Sequence, residues 1–353
     1  MDLESKAKKN FEKKCKNYSY LPTIVPAVDR VVVIGDLHGD WNLTLKCLKR
    51  AELIDNNLNW IGNNTVVVQV GDQIDRCRPY NNKCDHPLTT QNDEHSDIKI
   101  LELFTNLHTQ ALKYGGAVYS LFGNHELMNI DGNINYVSYK GLVGFADYDN
   151  GSFKKKYDKL PDVEIGKIAR REAFAPGNEY AKFLGCTRLG TIIIGSFLFL
   201  HAGILTELDN KEVNRVIDRS SVYDINNRVR KWVLGLINKD YVDEIIGSHD
   251  KSMFWQRILG NIPPNMNNND PDCEKYVKPI LDIFKVGSIV IGHTPQFVKN
   301  KTGINSTCGD KLWRIDTGAS NAFSKFSNND NIMYREIPVI EILNDTTVNI
   351  INL

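Results

Sequence analysis

The amino-acid sequence predicts an α/β protein built around a largely parallel β-sheet, and three observations support that class. Five short runs of β-branched or aromatic residues each lead into a glycine or a polar side chain. Continuous apolar runs of this length predict strands that are buried on both faces. Helical patterns separate the first three runs, and this alternation of strand and helix is typical of a parallel sheet.

The elements follow in chain order from this pattern. A lysine-rich segment at the beginning predicts a helical lead-in over residues 1–25. Helices are expected at 43–53 and at 98–112, and in the second of these the apolar residues recur at helical spacings of three and four. The five buried strands are expected at 31–34, 66–70, 118–122, 197–200 and 289–291.

The remainder of the chain, residues 26–353, is predicted to form a single domain. Two polar stretches, near 77–96 and 261–275, are expected to be insertion loops within it. The second stretch includes a segment rich in proline and asparagine, which is typical of a surface loop.

Composition and charge exclude several classes of protein. The chain has 353 residues, of which 42% are apolar and 24% charged, so wholesale disorder is excluded. Its 43 basic and 43 acidic residues give zero net charge, and we therefore expect no nucleic-acid partner. The longest apolar stretch, 192–200, is too short to span a bilayer, and no apolar segment follows the first methionine. No membrane association and a cytoplasmic location are expected.

The cysteines predict no disulfide framework. They are seven in number, odd and scattered through a long chain, which favours a reducing compartment. The polar stretch 77–96 holds several residues that could ligate zinc, but it has no CxxC pair, and a plain insertion loop is the favoured interpretation over a zinc loop. These residues are Cys77, Cys84, His86, Asp93, Glu94 and His95.

Polar side chains of the metal-binding type stand at all five predicted strand ends. They comprise two carboxylates, one carboxamide and three imidazoles, a donor set that suits Zn, Fe or Mn. Six ligands exceed the need of one catalytic ion, and they fit two ions about 3.5–4 Å apart with one carboxylate bridging. The six residues are Asp36, His38, Asp72, Asn124, His201 and His293.

The ordered blocks around these residues resemble those of the calcineurin-like metallophosphoesterases, in the phosphoprotein phosphatase group. The blocks are 35–39 (GDLHG), 71–76 (GDQIDR), 123–126 (GNHE), 201–203 (HAG) and 292–293 (GH). The nearest resemblance is to the Shewanella-like protein phosphatases, through 123–129, 135–137, 171–184 and 316–320. Cys77 stands where that family usually has glycine.

The resemblance implies a fold and a set of roles. The fold would be an αβ/βαβ sandwich of two sheets flanked by helices, with a di-metal site in loops at the carboxyl ends of strands. Asp36, His38 and Asp72 would hold the first ion. The second ion would be held by Asp72, Asn124, His201 and His293, with Asp72 shared.

The remaining roles implied by the resemblance concern the substrate. His125, paired with Asp75, would be the general acid that protonates the leaving oxygen. Arg76 and Arg257 would bind the phosphate together with Asn124. A water between two cations loses its proton near neutral pH and can then attack phosphorus.

The sequence therefore predicts a phosphatase that hydrolyses phosphomonoesters, with phosphorylated serine, threonine or tyrosine of proteins as its substrate. One alternative is a hydrolase of dinucleoside polyphosphates or of other small phosphate esters. An alternative from another class is a binding or scaffold protein that keeps the fold without turnover. Neither the identity of the ions nor a regulatory partner follows from the sequence.

Overall fold

The computed structural model describes residues 2–208, 211–212 and 216–351 of the chain. Its strands are β1 Ile24–Val25, β2 Arg30–Ile34, β3 Val66–Gln69, β4 Ala117–Leu121, β5 Arg188–Leu189, β6 Ile192–Ile194, β7 Phe197–Phe199, β8 Glu207–Leu208, β9 Lys211–Glu212, β10 Ser288–Ile291, β11 Asn305–Thr307, β12 Leu312–Arg314, β13 Val339–Leu343 and β14 Thr347–Ile350.

The helices are interspersed with these strands along the chain. They are α1 Leu3–Lys14, α2 Trp41–Arg50, α3 Asp97–Ala111, α4 Asn124–Ile130, α5 Tyr139–Val143, α6 Tyr148–Lys156, α7 Asp162–Phe174, α8 Glu179–Thr187, α9 Ser221–Val233, α10 Asp243–Ile246, α11 Ile258–Asn261, α12 Lys278–Phe284 and α13 Gln296–Lys299. None of these helices is long and apolar enough to cross a membrane.

Two six-stranded mixed sheets form the centre of the molecule. The first sheet has the order β14-β13-β2-β3-β4-β5, and the second has the order β1-β6-β7-β10-β12-β11. In the first sheet β2, β3, β4 and β5 run parallel, and β13 pairs antiparallel to β2. In the second, β10 lies parallel to both β7 and β12. The predicted two-sheet sandwich is confirmed.

Alternating side chains of the strands fill three apolar layers. Val31 and Val33 of the first sheet pack in one cluster with Phe197 and Phe199 of the second, between the sheets. The intervening residues of the first sheet, such as Val32, pack instead with α2 and α3. Both faces are therefore covered, which explains why the strand sequences are continuously apolar.

The five predicted strands correspond to β2, β3, β4, β7 and β10. The predicted helices at 43–53 and 98–112 correspond to α2 and α3, and the lead-in contains α1. Asp40 explains where α2 begins, because its carboxylate accepts a hydrogen bond from Leu43 N at 3.0 Å and caps the first turn. The domain boundary near residue 25 stays a prediction.

The cysteine prediction is wrong, because six of the seven cysteines are paired. The disulfides are Cys15–Cys186, Cys77–Cys84 and Cys273–Cys308, and Cys47 is free and buried. Disulfides persist in oxidising environments, so the cysteine argument for a reducing compartment no longer holds. The cytoplasmic location stays a prediction without that support.

The pairing also decides between the two interpretations of the 77–96 stretch. Cys77 and Cys84 are bonded to each other, so neither thiolate is free for zinc. Asp93 accepts a hydrogen bond from Lys140 N at 2.7 Å, and Glu94 forms an ion pair with Arg76 at 2.8 Å. The zinc-loop alternative is therefore disfavoured.

Removing the bond between α1 and α8 is expected to destabilise the protein. Cys15 and Cys186 are 171 residues apart, so their bond closes a long loop in the unfolded chain. Replacing both with serine should lower the free energy of unfolding by about 2–5 kcal/mol. Urea unfolding under non-reducing conditions measures this change. The Cys77→Ser, Cys84→Ser pair is the matched control, because its shorter loop predicts about half the effect; equal effects would contradict the loop argument.

Candidate active site

The predicted site residues meet at one edge of the sandwich. Asp36 and Asp72 follow β2 and β3, and Asn124 opens α4 directly after β4. His201 and His293 follow β7 and β10 of the second sheet. The carboxyl ends of parallel strands in both sheets thus supply one shared cluster, as expected for a ligand site in an α/β protein.

The backbone is held in an unusual conformation where it presents these side chains. His38, Asp72, Asp75 and His293 all have left-handed φ angles, of 45°, 53°, 72° and 66°. Such a conformation is costly for residues other than glycine and is concentrated at functional sites. The backbone at these four residues therefore carries strain that the surrounding structure has to offset.

Gly123 makes room for the central carboxylate. A Cβ atom at this position would lie 2.1 Å from Asp72 Oδ1, a distance that no side chain tolerates. The Gly123 N–H donates to Glu126 Oε2 at 2.7 Å, and the same carboxylate accepts from Asp72 N at 3.0 Å and Gln73 N at 2.8 Å. Glu126 thus joins the loop after β3 to the beginning of α4.

The predicted ligands of the second ion converge around Asn124. Its Oδ1 lies 2.9 Å from His201 Nε2 and 3.0 Å from His293 Nδ1. Asp72 Oδ1 lies 3.4 Å from His201 Nε2. Asp72, His201 and His293 form one of two groups of acidic and histidine residues, within the described chain, that are arranged closely enough to hold a cation.

The predicted ligands of the first ion lie on the other side of Asp72. His38 Nε2 is 3.7 Å from Asp72 Oδ2 and 3.9 Å from Asp36 Oδ2. Asp36 Oδ1 is buried and has no hydrogen-bond partner. The second close group consists of His38, Asp72 and His125, so Asp72 belongs to both groups.

Backbone carbonyls orient the three imidazoles. His201 Nδ1 lies 2.8 Å from Val70 O, and His293 Nε2 lies 3.1 Å from Trp255 O. His38 Nδ1 is 3.4 Å from Ile74 O. In each ring the carbonyl fixes the proton on one nitrogen and leaves the lone pair of the other facing the cluster, as in metal-binding histidines. The residues present therefore fit divalent cations.

Electrostatics agree with a cation site. Burial raises the pKa of Asp36 well above its usual range, and the nearby carboxylates of Asp316 and Asp72 add to the shift. Burial also disfavours ionised Asp72, but His201 and His125 outweigh it and hold the Asp72 pKa well below its usual range. Burial lowers the pKa of His293 well below the usual value. Burial works against a charged His201, but Asp72 outweighs it and raises the His201 pKa. A buried anion needs a compensating positive charge, which His201 supplies here and a bound cation would supply in its place.

His125 and Asp75 lie in contact, and their role as an acid pair stays a prediction. His125 Nδ1 lies 2.8 Å from Asp75 Oδ2, and both side chains are buried. His125 Nε2 faces the cluster and is 3.9 Å from Asp72 Oδ2. Asp75 therefore fixes the imidazole so that its other nitrogen points to Asp72.

Sequence reasoning missed the residues that hold this pair. Asn129 Nδ2 donates to both oxygens of Asp75, at 3.0 and 3.1 Å, and Asn129 Oδ1 accepts from Arg170 Nε at 2.7 Å. Arg170 also pairs with Asp97 at 2.8 Å. The position of Asn129, four residues after His125 on α4, was the available signal, since residues at that spacing share a helix face.

Three arginines surround the cluster in different ways. Arg76 is buried; its guanidinium donates to Gly39 O and Asn92 O, each at 3.0 Å. Arg257 is exposed, and its Nη1 donates to His293 O at 3.1 Å. Arg78, which the sequence analysis did not single out, lies against His38 and His125, with Nη2 at 2.9 Å and 3.3 Å from their Nε2 atoms.

The structure has two mixed sheets flanked by helices, and aspartate, asparagine and histidine side chains cluster at the strand ends. These features define the chain as a metallophosphoesterase. A model of the calcineurin-like phosphoesterase family matches residues 29–297. The chain is 31% identical over 315 residues to Shewanella-like protein phosphatase 2 of Arabidopsis thaliana, covering 83% of this chain and 72% of the relative. The chain therefore belongs to the calcineurin-like phosphoesterase family, in its Shewanella-like protein phosphatase branch.

The chain is also similar to a viral protein and to a solved structure. An uncharacterized protein, R398, of Acanthamoeba polyphaga mimivirus is 41% identical over 244 residues, which cover 66% of this chain and 93% of the relative. The crystal structure of a cold-active protein-tyrosine phosphatase from a psychrophilic Shewanella has a TM-score of 0.61 and 22% identity. The match covers 94% of this chain and 82% of the Shewanella chain. That structure supports the fold.

Proposed function

We propose that this protein is a metal-dependent phosphatase that hydrolyses phosphomonoesters on phosphorylated serine, threonine or tyrosine of proteins. The observation that carries the proposal is the His125–Asp75 pair, whose free Nε2 faces the shared Asp72. Hydrolysis of an alkyl phosphate needs a proton for the leaving oxygen, and an imidazolium held by a carboxylate is suited to supply it. A scaffold protein has no use for this arrangement.

Two divalent ions complete the proposed site. Asp36, His38 and Asp72 would hold one of them. Asp72, Asn124, His201 and His293 would hold the other, and Mn, Fe and Zn all suit these donors. When bound, the ions would neutralise the phosphoryl oxygens and activate a water for attack.

The chain's own residues then perform two tasks. His125 donates the proton from Nε2 to the leaving oxygen, while Asp75 stabilises the positive imidazole. Arg257 stands at the rim beside His293, where its exposed guanidinium can bind a phosphoryl oxygen. Arg76, the other candidate from the family resemblance, would have to leave the two carbonyls and the Glu94 carboxylate that it now binds.

A groove beside the site supports protein substrates over small esters. Its volume is about 740 Å³, and its lining includes Tyr136 and Trp255. The Tyr136 ring lies 5.0 Å from that of His125, and the Trp255 ring lies 6.5 Å from that of His293. Aromatic walls leading away from the cluster suit the chain on either side of a phosphorylated residue. The names of the Arabidopsis relative and of the psychrophilic enzyme also favour phosphoproteins, without choosing between serine, threonine and tyrosine.

Hydrolysis of a substrate panel, together with elemental analysis of the purified protein, tests the proposal. We expect bound transition metal and a higher kcat/KM for phosphopeptides than for diadenosine tetraphosphate. Matched peptides that carry phosphoserine, phosphothreonine or phosphotyrosine in one sequence will rank the three residues. A large advantage for the dinucleotide would favour the small-ester alternative, and metal-loaded protein that cleaves no phosphomonoester would favour the scaffold alternative.

A further inference from the structure

Arg78 lies at the mouth of the cluster, and the proposed reaction gives it no role. Its Nη2 lies 2.9 Å from both ring nitrogens of His38 and 3.3 Å from His125 Nε2. A guanidinium has only donors, and His38 Nδ1 directs its proton at Ile74 O, so the Nε2 lone pairs of the two imidazoles are the acceptors of Arg78. The positive group is therefore directed at the place where the ligands of the first ion and the acid meet.

The other side of the guanidinium is fixed to the protein. Nη1 donates to Asp75 O at 3.1 Å and to Cys77 O at 2.9 Å. The rings of Phe323 and Tyr136 lie 4.7 and 5.4 Å from its central carbon and hold it by cation–π contact. One amino group is thus anchored, and the other is left for the site.

The backbone that carries Arg78 is also tied down. Cys77 N donates to Tyr136 O at 3.0 Å, and the Cys77 side chain is bonded to Cys84. A cysteine at this position, where the family usually has glycine, gives the loop after β3 a covalent attachment immediately before Arg78. The guanidinium is therefore placed by its own loop as well as by the rings on either side of it.

We propose that Arg78, in place of Arg76, binds the phosphoryl group of the substrate together with Arg257; this inference rests on the proposed function. A cation held by His38 would take up the lone pair of Nε2, and Arg78 Nη2, at the mouth of the cluster, would then be without that acceptor. A phosphoryl oxygen is the acceptor that replaces it, in a short charge-assisted bond. Both terminal nitrogens of Arg76 already have acceptors, and only its buried Nε is without a hydrogen-bond partner, so its two-pronged end is not free for a phosphoryl oxygen.

Binding of orthophosphate to manganese-loaded protein tests this role independently of turnover. Calorimetric titration should show that Arg78→Ala weakens phosphate binding by about tenfold to a hundredfold, as expected for loss of a hydrogen bond to a charged group. The phosphate affinity of Arg78→Lys should lie between those of the wild type and Arg78→Ala. Lysine keeps the positive charge but lacks the planar, two-donor end of the guanidinium. KM for 4-nitrophenyl phosphate should rise in the same order, and elemental analysis should find the same metal content in all variants.

Arg50→Ala is the matched control, because Arg50 is an exposed arginine at the end of α2. It should leave phosphate affinity unchanged. Unchanged affinity in both Arg78 variants would overturn the inference while leaving the proposed function intact. A loss of phosphate binding that only follows a loss of metal would also overturn it, since Arg78 would then support the ions. Metal-loaded wild-type protein that neither binds orthophosphate nor hydrolyses any phosphomonoester would overturn the proposed function, and this inference with it.

Discussion

Replacing Asp72 with asparagine is expected to remove nearly all phosphatase activity and to lower the metal content of the purified protein. Asp72 faces His201 on one side and His38 on the other, at 3.4 and 3.7 Å, so both proposed ions depend on it. Asparagine keeps the shape but removes the negative charge that two adjacent cations require. Loss of a supporting contact to a ligand costs about tenfold to a hundredfold in affinity or activity, and loss of the shared ligand should cost more.

Elemental analysis and kcat/KM on one phosphopeptide measure the two effects together. Asp158→Asn is the matched control, because Asp158 is exposed and lies outside the site. Circular dichroism should establish that the variant is folded, since Asp72 Oδ1 also accepts from His125 N at 3.0 Å. A folded Asp72→Asn protein with full metal content and full activity would contradict the shared-ligand assignment, and the two-ion proposal with it.

Replacing His125 with asparagine is expected to lower kcat in a way that depends on the leaving group. A general acid contributes roughly a hundredfold to ten-thousandfold, and alkyl phosphates of serine or threonine need it most. The 4-nitrophenolate ion leaves without a proton, so 4-nitrophenyl phosphate should be much less affected. Parallel measurements of kcat on a phosphoserine peptide and on this aryl ester would detect the difference.

The comparison also separates two roles for His125. This residue lies close enough to His38 and Asp72 to be a metal ligand, and a ligand would not distinguish leaving groups. Equal losses on both substrates, together with a fall in metal content, would therefore contradict the acid role. Asp75→Asn is the companion variant; it keeps the imidazole but alters the 2.8 Å bond to it, and we expect a smaller loss with the same leaving-group dependence.

The central strands, and the polar cluster at their ends, could be predicted because their signals are local. A strand buried on both faces is continuously apolar, as in β2 and β3, and a polar residue at its end stands out in the sequence. The strands on either side of these central ones give no such signal. β5 has two residues and β13 pairs with β2 from about 300 positions further along the chain, so only the assembled sheet shows them.

The contacts that the sequence did not predict are those made across long separations. Cys15 and Cys186 are 171 residues apart, and no spacing rule connects them. Arg170 reaches Asn129 from another helix, and its role depends on how α7 packs. The family motif assigned a role to Arg76, but it could not show that Arg78, two residues later, extends to His38 and His125, because the path of the loop decides where each side chain points.

The predicted ligands come from both sheets, so the supply of metal ions should affect the stability of the folded protein. The first sheet contributes the carboxylates and Asn124, and the second contributes His201 and His293, so an unfolded chain has no preformed site. The free energy of ion binding would then add to the free energy of unfolding, because the ions would link the two sheets. In a cell depleted of these ions, less of the protein would be folded, and the folded molecules would be less active.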